Sequence, residues 1–117
     1  MTKSEKKRES ILIQSLTKAC EAIKEELHGF EWLTHSIGKQ KDFPRSLKIF
    51  CVFSTNELML LAKQPEHNKR LLNVICTELN KVGIALNEPK RHVFYDNQQA
   101  CDYEHQGNWN KRLQTGH

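Results

Sequence analysis

The stretch LKIFCVFS, Leu47 to Ser54, running straight into TNE at 55–57, decides how this chain folds. Leu47, Ile49, Cys51 and Phe53 alternate with Lys48, Phe50, Val52 and Ser54, the two-residue period of a β-strand. Phe50 and Val52 make the second face apolar as well, which suits a central strand covered on both sides. Ser54-Thr55-Asn56-Glu57 has capping-box spacing, with the Ser54 hydroxyl accepting from the Glu57 N–H and the Glu57 side chain reaching back. The strand is therefore expected to pass directly into a helix.

Upstream, Phe30 to Ile37 forms a second strand, with Leu33, His35 and Ile37 facing one way and Trp32, Thr34 and Ser36 the other. The segment GKQKDFPRS, Gly38 to Ser46, is rich in turn residues and joins the two strands as a long, basic hairpin loop. Before it, Leu12, Leu16, Ala19, Cys20, Ile23 and Leu27 recur at helical spacing over roughly Ser4 to His28, and Gly29 supplies a stop.

Downstream, Leu58, Leu61 and Ala62 form a helical stripe. Pro65 either ends that helix or opens the next, which runs from about Glu66 to Val82 and stops at Gly83. Arg91 to Tyr95 is a third strand. Asp96 and Gln99 bracket the start of a last short helix, interrupted at Gly107. The order α-β-β-α-(α)-β-α predicts an α+β, two-layer sandwich with a small, mostly antiparallel three-stranded sheet. Residues 1–103 make one domain and 104–117 a polar C-terminal tail. The expected core is Leu16, Cys20, Ile23, Leu33, Ile49, Cys51, Phe53, Leu61, Leu72, Ile75 and Leu79.

Length and composition agree. A chain of 117 residues fits one domain and can bury a core without disulfides or metal. No apolar run approaches the ~20 residues of a membrane span. Met1 to Arg8 is charged and lacks the apolar region of a signal peptide, so the expectation is a cytoplasmic protein. Cys20, Cys51, Cys76 and Cys101 include no C-x-x-C pair and are expected as free thiols.

Chemistry-bearing motifs are few. The sequence has no nucleophile elbow, phosphate loop, dinucleotide fingerprint or zincin helix, and its five glycines are scattered. No catalytic residue and no cofactor is expected. Cys101 and His105 stand four apart, with Asp102 and His92 as further ligand types. A structural zinc site needs two paired motifs, so no metal is expected either. An enzyme reading would require a deep pocket with His35 or His92 beside a carboxylate.

The net charge is +4, from 18 basic and 14 acidic residues. The useful feature is where the cations fall. Lys39, Lys41, Arg45 and Lys48 lie in and beside the hairpin loop, Lys90 and Arg91 open the third strand, and Lys111 and Arg112 follow Trp109 in the tail. Cations on loops reach phosphates without disturbing a core, and Phe43, Tyr103 and Trp109 are stacking candidates. The tail is read two ways: an arm that docks on a partner through Tyr103, Trp109 and Arg112, or an arm that packs back on its own domain.

Two segments carry resemblances. DYEHQGNWNKRL (102–113) and SLKIFCVFST (46–55) resemble those of short uncharacterised gammaproteobacterial proteins, some labelled Fis-type transcriptional regulators. That family ends in a helix-turn-helix, whereas residues 98–117 read as one short helix broken near Gly107. In layout, Gly29 to Asn97 is similar to DciA-type helicase loaders. The matching pieces are Leu47 to Thr55, Glu57 to Leu61, Leu71 to Asn80 and His92 to Tyr95. This resemblance implies a KH-like fold, a place in bacterial DNA replication, and DNA and a helicase as partners; it transfers no single residue. The expectation is thus a non-catalytic binding module for nucleic acid or for a nucleic-acid-processing protein. The alternatives are a homodimeric protein-interaction module, with Phe50 and Val52 at its interface, and an enzyme.

Overall fold

Thr2 starts the first helix by accepting a hydrogen bond from the Glu5 N–H at 3.1 Å. The helix, α1 (Lys3–Glu26), buries Leu12, Leu16, Ala19 and Ile23. Gly29 follows at φ +87°, a left-handed conformation that glycine adopts freely. It also lies hard against α2 (Asn56–Ala62): a Cβ on Gly29 would stand 2.5 Å from the Leu58 Cδ1. The computed structural model of the chain describes residues 2–115.

Strand β1 (Phe30–Ile37) pairs antiparallel with β2 (Leu47–Phe53), His35 opposite Ile49 and Leu33 opposite Cys51. The register shifts between Phe30 and Trp32. The expected phase of β2 is the observed one: Ile49, Cys51 and Phe53 have no exposed surface. Helix α2 starts one residue later than the capping box suggests, because Thr55 and not Ser54 holds the cap, accepting from the Leu58 N–H at 3.1 Å. Pro65 opens α3 (Pro65–Asn80), where its missing N–H costs nothing.

Helices α2 and α3 carry the chain back to the start of the sheet. β3 (Val93–Asn97) therefore runs parallel to β2, Ile49 beside Val93 and Phe53 beside Asn97. The sheet is mixed, in the order β1-β2-β3, with one antiparallel and one parallel pairing in place of the mostly antiparallel sheet expected. Helices α1 and α3 lie on each other, and Leu16, Ile23, Leu71, Ile75 and Leu79 join Leu47, Ile49, Cys51 and Phe53 in one core. Cys20 and Leu33 pack at its margin. Leu61 does not join it. The short α2 turns Met59 and Ala62 inward, which leaves Leu61 about half exposed.

The second face of the sheet carries the row Trp32, Val52, Asp96 across the three strands. Asn97 caps α4 (Gln98–His105) by accepting from the Ala100 N–H at 2.8 Å, the role expected of Asp96. After a left-handed Gln106 and Gly107 the chain enters α5 (Trp109–Thr115). The Trp109 ring meets Trp32 edge-on at 5.0 Å between centroids, and Arg112 reaches Asp96. The segment expected as a tail thus forms, as far as residue 115, the end of α4 and a helix set on that row. Residues 116 and 117 of the expected tail lie outside the described residues. Val52 and Phe50 are buried within one chain, so they do not present the open interface that a homodimer was expected to use.

Candidate functional site

At one end of the sheet β1 finishes while β2 and β3 begin. The loop between β1 and β2 is held closed by the Gly38 N–H donating to the Ser46 carbonyl at 3.1 Å and the Ser46 hydroxyl donating to the Lys39 carbonyl at 2.7 Å. A 3-10 turn, Gln40–Asp42, shapes its middle. Arg8 of α1 braces it from behind, its guanidinium 4.3 Å from the Phe43 ring centroid and bonded to Gln40. A second 3-10 turn, Pro89–Arg91, precedes β3, and His92 after it is buried with Nδ1 2.8 Å from the Leu47 carbonyl oxygen.

These two turns bring together cations that are ~45 residues apart in sequence. Lys41, Arg45 and Arg91 line one cleft of about 470 Å³, with Asp42 and Glu88 as its carboxylates. Arg91 is paired with Glu88 at 2.5 Å, and both residues also line a second cleft. This larger cleft, of about 790 Å³, opens between α3 and the Pro89–Arg91 turn, with Lys63, Lys69, Lys90 and Leu72 among its lining residues. Lys39 is exposed in the loop, and the Lys48 ammonium stands 5.8 Å from the Phe94 ring centroid on the second face. Six of the eight cations singled out from sequence therefore gather at this end.

The other two do not. Lys111 and Arg112 belong to α5, at the far end of a seven-residue strand, roughly 20 Å away. Arg112 is largely buried: Nε donates to Asp96 Oδ2 at 2.7 Å and Nη1 to Glu104 Oε2 at 2.8 Å. The bond to Asp96 holds the Arg112 proton more tightly than usual, despite the cost of burial. Trp109 donates from Nε1 to Gln98 Oε1 at 3.0 Å and packs on Trp32. Of the sequence's two readings of this arm, its packing back describes Trp109 and Arg112. Tyr103 is the exposed member, at 88%.

The sequence did not find Lys63, Lys69 or Tyr95. The two lysines flank Pro65 and face the Pro89–Arg91 turn only because of the crossover. Tyr95 lines a recess of about 160 Å³ beside the larger cleft, next to Leu72 and Lys90. Its hydroxyl donates to Asn68, Lys63 Nζ lies 5.7 Å from its ring centroid, and burial pushes its phenol up from the ordinary range.

The metal-ligand types are not assembled. Cys101 is fully buried, His105 Nδ1 faces the Arg112 guanidinium at 3.3 Å, and His92 lies at the opposite end of the sheet. Among the described residues no group of three or more His, Cys, Asp or Glu is placed to hold a metal ion. His35 does meet a carboxylate, with Nε2 2.6 Å from Glu9 Oε1. The thiol in the neighbouring groove, Cys20, stands eleven residues along α1 from Glu9, roughly 16 Å of helix axis, so the three cannot work as a nucleophile, base and orienting acid. No helix among the described residues is long and apolar enough to cross a membrane. No protein-family model, curated protein or solved structure matches the chain.

Proposed function

We propose that the chain is a non-catalytic binding module that holds nucleic acid by its phosphates at the Gly38–Ser46 end of the sheet. The carrying observation is the convergence of Lys41, Arg45 and Arg91 on one cleft, from two turns distant in sequence. Lys39, Lys48 and Lys90 stand exposed at the same end of the sheet. Such an arrangement supplies fixed positive charge on a braced rim, and phosphates give up their counterions to it. The resemblance of the sequence's layout to DciA-type loaders supports the same reading. Lys111 and Arg112 have no part in it.

A titration of labelled DNA and RNA at several salt concentrations tests the proposal. Affinity falls steeply with salt, and Lys41→Ala with Arg45→Ala flattens the slope of log K against log salt by about 2. Lys111→Ala leaves the slope unchanged. Absence of binding to any nucleic acid at low salt overturns the proposal.

A further inference from the structure

The two clefts differ in character although they share Glu88 and Arg91. The smaller is rimmed by charge. The larger adds apolar lining from Pro65, Leu72 and Pro89 and the amides of Asn68 and Asn73 to Lys63, Lys69 and Lys90. Together they carry six cations against two carboxylates; with Glu88 and Arg91 paired to each other, Lys41, Arg45, Lys63, Lys69 and Lys90 stand against Asp42.

We infer that the ligand is a single strand, its backbone passing the Glu88–Arg91 pair that the two clefts share and a base lodging in the cleft between α3 and the Pro89–Arg91 turn. This rests on the phosphate-binding reading above and narrows it. In a duplex the bases are stacked inward and the outer surface is phosphate and sugar, which would leave Pro89 and the small open edge of Leu72, otherwise a core residue, without a flat apolar face to cover them. A single strand offers both parts at once: phosphates for the cationic rim, and a flat apolar face with polar edges for the apolar lining and the amides. The cleft volume lies within the range of sites that enclose small organic groups. The recess at Tyr95 extends the same lining.

Cys76 also lines the larger cleft, whereas Cys20 lines a separate groove between α1 and β1; Cys51 and Cys101 are fully buried. The two accessible thiols provide a footprint and its internal reference. The experiment is an anisotropy titration of the intact chain with a labelled oligothymidine and with a duplex of equal length at low salt. It is paired with alkylation of Cys76 and Cys20 in the presence and absence of the unlabelled oligothymidine. The expected result is single-strand binding tighter by about tenfold, a similar loss in Lys63→Ala with Lys69→Ala, and slower alkylation of Cys76 relative to Cys20 when the strand is bound. Equal affinity for the duplex, or a preferred single strand that leaves Cys76 alkylation unchanged, overturns this inference while the phosphate-binding proposal stands. Failure of both ligands to bind at low salt overturns both.

Discussion

The two ends of the sheet use the same kinds of residue for opposite purposes. At the Gly38–Ser46 end Arg45 and Arg91 are exposed, and the one acidic partner of Arg91 is itself exposed. At the far end Arg112 is shut between Asp96 and Glu104, with Asp96 almost wholly out of solvent. An arginine on a braced turn keeps its charge available to a ligand, whereas an arginine over a buried carboxylate spends it on holding α5 to the sheet. Sequence composition treats the three alike. Only their surroundings separate a candidate contact from a fastening.

The sharpest break of this comparison is charge removal at each end. Arg112→Ala takes the guanidinium away from the buried Asp96 carboxylate and is expected to destabilise by about 3 kcal/mol, whereas Arg45→Ala stays within about 0.5 kcal/mol. Urea unfolding of the two variants decides it. Equal stabilities would mean that the far end is as loosely built as the near one.

The glycines that bound β1 repeat the contrast in backbone form. Gly29, at the far end, combines φ +87° with a Leu58 side chain pressed against its Cα, and Gly29→Ala should cost about 2 kcal/mol. Gly38, at the near end, lacks that left-handed φ, and an added Cβ would make ordinary contacts with Ser46, its Cβ at 3.5 Å and its carbonyl oxygen at 3.8 Å. Gly38→Ala should change thermal stability by less than about 0.5 kcal/mol.

A pH-dependent effect, absent at neutral pH, belongs to β2, which links both ends. Burial pushes the Cys51 thiol well above its ordinary value of 9.0. In the unfolded chain this thiol ionises above pH 9, while in the folded chain it keeps its proton. The folded state then binds more protons, so stability is complete below pH 9 and declines as pH rises beyond it. The decline approaches about 1.4 kcal/mol per pH unit for a single group. Urea midpoints from neutral to alkaline pH should fall more steeply in the parent than in Cys51→Ala.

The regular elements were legible because their signals are local. Alternation over Leu47 to Phe53 gave the strand and its buried face, and the spacing of Leu12, Leu16, Ala19 and Ile23 gave α1. What escaped depends on distant partners. Nothing near Val93 says that β3 lies parallel to β2; that follows from the path of α2 and α3. Leu61 fits a helical stripe with Leu58, but so does Met59 with Ala62, and in seven residues tertiary packing chooses between them. The site divides the same way. Lys41 and Arg45 announce themselves as cations in a turn-rich loop. Lys63 and Lys69 become neighbours of Lys90 only through the crossover, and Arg112 reads as a free tail cation until Asp96 is seen beneath it.

The Trp32–Trp109 contact has an optical consequence. These are the only two tryptophans in the chain, and their indoles stand 5.0 Å apart at 83° between ring planes. Excitation on one ring is shared with the other, so near- and far-ultraviolet circular dichroism should carry a coupled pair of bands of opposite sign. That couplet vanishes if α5 leaves the sheet and survives anything that leaves α5 seated. The couplet is thereby a gauge of one helix's attachment, and because both indoles stand at the end of the sheet opposite the clefts it is expected to hold steady as a ligand fills them.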